Sequence, residues 1–334
     1  MGWLKRVDRF LLAIVTAAVV ATVLPAQGVT VPVLEWVTKY KLDGLRLDAV
    51  KHIEASWYLN LRQRLIADVE SKTKQHIYLV GETYTGDKGL IKTFIDPCTK
   101  LDGQFDFPLR IQLLQNVLLR QGKMQDLRNF FDSNENFYGS GLMSTFLGNH
   151  DVPRSIHFAQ NTPVWTDPWA DGKDRNFGTS RPPLVAETEA YERMGLAMTV
   201  LMSNRGVPLI YYGDEVGQPG AGDPDNRRFM DWNSAGYNAG QKLLFERHKK
   251  LGAIRKAHAA LRRGTRTTLS VADDTWAYKM EDGGDVVYVL LNRSDSAKTV
   301  SGLPSASLTD ELLGGTVSGP SISVPARSAR ILVP

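Results

Sequence analysis

The chain has 334 residues, 43% hydrophobic and 23% charged, enough apolar material for one large globular domain and a smaller one. Its net charge of +4 is spread without long runs, which argues against a nucleic-acid footprint despite a pI near 9.0. A single cysteine, Cys98, excludes an intramolecular disulfide. No Cys/His cluster has zinc spacing, and Cys98 is expected to be a buried or partly buried thiol without a redox role.

The chain opens with Lys5, Arg6 and Arg9 ahead of Phe10–Leu24, fifteen residues without a charge, followed by Pro25-Ala26-Gln27. A basic start, an apolar run and a small residue predict a secretory signal peptide over residues 1–28. The alternative is an uncleaved anchor, but Pro25, Gln27, Gly28 and Pro32 interrupt the ~20 apolar residues that a span needs. Export to the extracellular or periplasmic side is expected, with a membrane association only if this segment is retained.

Beyond Gly28, Val33–Tyr40 reads as a short amphipathic helix. In Asp43–His52, Leu45 and Leu47 alternate with Arg46 and Asp48, which predicts a strand with one apolar and one charged side. Trp57, Leu61, Leu65, Ile66 and Val69 fall at helical spacing within Glu54–Lys72. Ile77–Glu82 is a short strand, apolar on both faces as in a covered parallel sheet. A strand within Leu101–Leu109, a helix over Arg110–Gln121 and a strand over Met143–Leu147 come next. Ala186–Ser203 is a long helix, Val207–Gly213 the fifth strand and Gly240–His258 a further helix. Strands alternating with helices predict parallel pairing through right-handed crossovers. From about Arg266 the period changes to alternation: Thr275–Met280, Asp285–Asn292 and Ser328–Val333 read as strands, and Asp282-Gly283-Gly284 as a hairpin turn.

A lone Arg-x-Asp such as Arg46/Asp48 reads first as a structural ion pair, with a catalytic carboxylate held ionised by its arginine as the alternative. Two later tips change that reading. Gly44-Leu45-Arg46-Leu47-Asp48-Ala49-Val50-Lys51-His52, Gly81-Glu82 and Phe146-Leu147-Gly148-Asn149-His150-Asp151 resemble, in order and spacing, the second, third and fourth signature regions of the α-amylase family of glycoside hydrolases. Gly206–Glu215 resembles that family's eighth barrel strand, and Asp223-Pro224-Asp225-Asn226-Arg227 the loop after it. The resemblance implies catalysis by Asp48 as nucleophile, Glu82 as general acid and then base, and Asp151 as the third acid that grips the sugar hydroxyls. It places Arg46, Lys51, His52, Asn149, His150, Asp223 and Arg227 around the substrate. The apolar same-face neighbours of Glu82, Tyr78 and Val80, are expected to favour its protonated form.

The family's first signature region has no counterpart, and only about fifteen residues separate the signal-like segment from the strand bearing Asp48. The expected fold is therefore a partial (β/α)8 TIM barrel, strands four to eight with their helices over residues 29–264, followed by a small antiparallel β-domain, a sandwich over 265–334. The expected activity is retaining hydrolysis of α-1,4 bonds in starch-like glucans, with an α-glucan as partner and no nucleic acid. The alternative is a catalytically inactive truncated remnant or a weak glucan-binding module. No metal ligand is assigned; the family's structural calcium is expected to be lost with the missing region.

Overall fold

The computed structural model describes residues 26–334, with side chains from Val31 onward. The expected signal segment lies, over residues 1–25, outside the described residues. The chain forms two compact units. The first runs up to Pro108 and adds Ser133–Thr145; the second comprises Leu109–Asp132 and Phe146–Pro334. This division falls inside the stretch expected to be one barrel domain.

In the first unit, helix α1 (Ala26–Tyr40) begins earlier than the expected Val33 and carries Pro32 within it. It leads to strand β1 (Gly44–Leu47). Helix α2 (Ala55–Arg64) follows and continues through a π-helical stretch, Leu65–Glu70, to Ser71–Thr73. Strands β2 (Tyr78–Gly81) and β3 (Gly103–Gln104) complete a parallel sheet in the order β1-β2-β3. Phe105 bridges in parallel to Ser144, at the start of strand β4 (Ser144–Phe146). Leu45, Leu47, Val50, Trp57, Leu61, Leu65, Val69, Ile77 and Leu79 form one core under this sheet, as their spacing predicts, whereas Ile66 of the same helical pattern is exposed. The strand expected over Leu101–Leu109 is much shorter. Pro108 is the second residue of a helix over Phe107–Leu113, and a proline belongs in a first turn but not in a sheet ladder. Cys98 is exposed, contrary to expectation: Asp96 caps the N–H of Cys98 and the hydroxyl of Thr99 in a surface turn.

Behind the sheet lies a charged network that alternation could not reveal. Arg62 and Asp102, both fully buried, are ion-paired, and Arg62 also reaches Glu70 at 3.2 Å. His76 bridges Glu70 (3.3 Å) and Asp102 (2.8 Å), and Asp102 accepts from the N–H of Leu79 on β2. Burial disfavours the charged imidazole, but the hydrogen bonds and charges of Asp102 and Glu70 outweigh it and raise His76 from 6.5 to about 8. The folded-state value lies above the unfolded one. The stabilisation is thus complete below about pH 6.5 and lost as pH rises through about 8, roughly 2 kcal/mol in all. The urea midpoint is expected to fall between pH 6 and pH 9, and His76→Gln is expected to flatten that fall. An unchanged slope in the variant would remove His76 as its source.

In the second unit, the helices Thr188–Met202 and Ala239–Ala257 flank β5 (Val207–Leu209), which is shorter than the expected Val207–Gly213. The second of these helices starts at a capping box between Asn238 and Gln241. Strands β6 (Thr265–Val271), β7 (Thr275–Asp282), β8 (Asp285–Asn292), β9 (Lys298–Ser301), β10 (Ser307–Asp310), β11 (Thr316–Ser318), β12 (Ser321–Val324) and β13 (Ser328–Val333) follow. Six form an antiparallel sheet, β11-β10-β13-β8-β7-β6, and β12 pairs with β9. Gly283, at φ +63°, turns β7 into β8 at the expected hairpin. Alternation divides the sheet's two faces. Trp276, Tyr278, Met280, Val289 and Leu291 join the core of the long helices, while Ala277, Leu290 and Leu332 pack with Val300, Ile322 and Val324. That shared core is why the C-terminal strands belong to the second unit.

Candidate active site

The parallel register of β1 and β2 pairs Leu47 with Gly81, so the next residues, Asp48 and Glu82, emerge side by side past the strand ends. The Glu82 N–H donates to Leu47 O at 2.9 Å, and the Val50 N–H to Glu82 O at 2.8 Å. Gly81 keeps this corner tight: an added Cβ would lie 2.4 Å from Gln104 Nε2, 2.7 Å from Leu101 Cδ1 and 2.8 Å from Val50 Cγ2, so those side chains would have to shift. Arg46, two residues before Asp48 and buried, donates from Nη1 to Asp48 Oδ1 at 2.5 Å and from Nη2 to Glu82 Oε2 at 2.6 Å. One guanidinium thus holds both carboxylates, and it also lies 5.5 Å from the centroid of the Phe105 ring. Glu82 is buried, whereas the Asp48 side chain is 47% exposed. Tyr78 and Val80, the neighbours of Glu82 along β2, are buried, and the Glu82 carboxylate is ion-paired with Arg46. Ala49 follows Asp48 at φ +45°, ψ +44°, a conformation that costs an L-residue about 1–2 kcal/mol. This corner turns the chain into a short 3-10 helix, Val50–His52. There Lys51 donates to Tyr84 O at 3.1 Å, and His52 is exposed.

The second unit holds the remaining predicted residues. Asn149 is buried and its Oδ1 accepts from the Asp151 N–H at 2.9 Å. His150 Nε2 lies 3.4 Å from Asp151 Oδ2, and Arg227 Nη2 3.6 Å from Asp151 Oδ1. Arg227 Nε pairs with Asp223 at 2.9 Å, so Asp151, Arg227 and Asp223 form one chain of charges. Gly148 lets this corner approach Asp214, whose Oδ2 would lie 2.5 Å from an added Cβ.

Sequence reasoning missed two residues that hold the corner in place. Asn226, fully buried, donates to His150 O (2.8 Å) and Val152 O (2.9 Å). Arg154, also fully buried, donates to Asn226 O (2.9 Å) and Tyr212 O (2.5 Å) and pairs with Asp214 at 3.2 Å. Burial pushes Asp214 up to about 6 against the pull of Arg154. The only signal for Asn226 was its place inside the Asp223–Arg227 motif; Arg154 carried none. Among the described residues, no group of three or more His, Cys, Asp or Glu side chains is placed to hold a metal ion.

The family description "Alpha amylase, catalytic domain" matches residues 27–170. A catalytic domain of this family is a (β/α)8 barrel. The chain is 30% identical to the cyclomaltodextrin glucanotransferase of Paenibacillus macerans over 281 residues, covering 82% of this chain and 34% of that protein. It is 26% identical to an α-amylase of Streptomyces lividans over 332 residues, covering 89% of this chain and 34% of that one. Among solved structures, the α-amylase of Geobacillus thermoleovorans, determined with acarbose, superposes with a TM-score of 0.73 at 25% identity, over 92% of this chain and 63% of that one. The chain thus spans about a third of the length of these two curated relatives.

Proposed function

We propose that this chain is a retaining glycosidase acting on α-1,4-linked glucans, with Asp48 as nucleophile and Glu82 as acid/base. The observation that supports this most is the single Arg46 guanidinium that holds both carboxylates on adjacent nitrogens. Retention needs two carboxyl groups at about 5–5.5 Å from each other. In the first step an Asp48 oxygen attacks the anomeric carbon, the glycosidic C–O bond breaks, and Glu82 gives its proton to the leaving oxygen. In the second, Glu82 takes a proton from water, the water oxygen displaces Asp48 from the anomeric carbon, and both side chains are restored. Asp151 takes the role of the acid that grips ring hydroxyls as the sugar distorts. Asn149 and His150 support it, and Asp223 and Arg227 bind the neighbouring sugar. Lys51 and His52 serve the leaving-group side.

The five short strands β1 to β5 are read as barrel strands four to eight. Export through the segment over residues 1–28 is part of this proposal and rests on the sequence alone. Among the described residues no helix is long and apolar enough to cross a membrane. The test is reducing-sugar release from soluble starch by the full chain, with Glu82→Gln alongside. Release by the parent that the variant lacks supports the reading. Folded parent and variant with no difference would leave a remnant or a binding module instead.

A further inference from the structure

Within the second unit, four arginines converge on one small opening. Its walls are Arg120, Asp274, Arg293, Ser294, Asp295 and Ser296, and it encloses about 360 Å³. That lies within the roughly 300–1,000 Å³ of small-molecule pockets. The Asp295 side chain, past the end of β8, is 63% exposed yet meets three guanidiniums: Arg327 at 3.0 Å and Arg193 at 3.1 Å on Oδ1, and Arg120 at 4.0 Å on Oδ2. Arg293 pairs with Asp274 at 3.1 Å and donates to Asn116 O at 2.6 Å, and Glu192 pairs with Arg327 at 2.6 Å. Among these contacts of the described residues, four guanidiniums face three carboxylates. Burial, and after it the like charge of Arg120, holds Arg193 below its usual value, and the buried Arg193 Nε has no hydrogen-bond partner among the described residues. The Arg120 side chain, only 26% exposed, has no ion pair there besides the long one to Asp295. The backbone adds a second sign. Arg120, beyond the π-helical stretch Leu114–Leu118, sits at φ +60°, and Arg327, before β13, at φ +47°. A helix end in this left-handed conformation favours glycine, so arginine there is kept at a cost in strain.

We propose that this opening binds an oxyanion of the phosphate class, free or as a monoester, between Arg120 and Arg293, with the Ser294 and Ser296 hydroxyls beside it. Guanidinium forks present paired N–H donors that match the oxygens of a phosphate group. A doubly charged ion also answers the positive excess that one carboxylate, Asp295, leaves among three arginines. The segment carrying the serines is already fixed: buried Asn292 accepts from the Ser294 N–H at 3.0 Å and donates to Ser296 O at 2.9 Å, so binding has little ordering cost. Two carboxylates oppose an anion here. Asp274 stays paired with Arg293, whereas the exposed Asp295 swings into water and yields its guanidiniums to the ion. Asp295 is thus a placeholder that competes with the ligand. The inference does not depend on the glucan reading above.

The experiment titrates the full chain with inorganic phosphate by calorimetry, at constant ionic strength set with sodium chloride. Arg120→Gly, Asp295→Asn and Lys242→Gln are titrated alongside, the last removing an exposed positive charge elsewhere in the same unit. Glycine takes φ +60° without strain, so Arg120→Gly is expected to fold, with a urea midpoint in phosphate-free buffer close to or above the parent's. It is expected to bind phosphate roughly tenfold more weakly, Asp295→Asn roughly tenfold more tightly, and Lys242→Gln like the parent. Glucose 6-phosphate, with glucose as its blank, separates the two sources: binding tighter than that of phosphate assigns a monoester, and binding no tighter assigns the free ion. No saturable binding of phosphate by the parent at millimolar concentration overturns the site. So does equal affinity in the parent and Arg120→Gly, or an equal loss in Lys242→Gln, which marks a general charge effect. Should Arg120→Gly fail to fold, Asp295→Asn decides: phosphate binding that is unchanged or weaker in that variant overturns the site.

Discussion

Glu82→Gln and Asp48→Asn are expected to fail in different ways. Glutamine cannot protonate a leaving oxygen, so Glu82→Gln is expected to slow starch hydrolysis by about 10²–10⁴-fold. An aryl maltoside with a good leaving group needs little protonation, so its first step is expected to survive in that variant. Removal of the glycosyl group then has no base, and a covalent sugar accumulates on the peptide containing Asp48, which intact mass and peptide mapping detect. Asp48→Asn has no nucleophile and is expected to lose turnover of both substrates, with no adduct. The structure makes the contrast sharp, because the two carboxylates share Arg46 but differ in exposure: Glu82 is buried and Asp48 half-exposed. Equal losses on both substrates in Glu82→Gln would take the acid role away from Glu82.

Arg46→Met is expected to damage stability as well as activity. The arginine is buried, and its removal leaves the carboxylates of Asp48 and Glu82 side by side without their shared cation. Removing one partner of a buried ion pair costs about 3–5 kcal/mol. Because the cost arises from crowded negative charge, it is expected to shrink on acidification, when protonation relieves the repulsion. The wild type lacks that particular recovery. Arg46→Lys keeps the charge but replaces a planar fork by a single ammonium, which cannot hold two carboxylates on fixed neighbouring nitrogens. It is expected to recover most of the stability and little of the activity. Urea midpoints at pH 5 and pH 8 alongside starch assays check both statements. An Arg46→Met variant as stable as the parent at pH 8 would make the pair dispensable.

The strand around Arg46 shows how far local pattern reached. Leu45 and Leu47 against Arg46 and Asp48 identified β1 and placed two charges on one face, because side-chain direction in a strand has a period of two residues. Alternation likewise located Thr275–Met280, Asp285–Asn292 and Ser328–Val333, and the glycine pair at 283–284 marked the turn between the first two. Short irregular pieces escaped it. Strand β3 was overdrawn because Pro108 opens a helix, and the helix Met124–Asn134 and strands β9 to β12 were not marked at all. Cys98 was misplaced because its exposure depends on a turn capped by Asp96, which composition does not report.

What the sequence determined by itself was the set of chemical groups and the strand ends that carry them: Asp48 after β1, Glu82 after β2, and the Asn149-His150-Asp151 tip. Periodicity and motif spacing are local properties, and these are local features. Only the tertiary structure decided what each group touches. The parallel register of β1 and β2 brought Glu82 to a guanidinium 36 positions away. The π-helical stretch ends in Glu70, which meets Arg62 and His76 in a buried network with Asp102. Asn226 and Arg154 were drawn from distant loops to hold the corner at Asp151. Such pairings join residues far apart in the chain, and a buried charge is tolerated only where its partner arrives. The partner's identity is settled by packing rather than by any pattern along the chain.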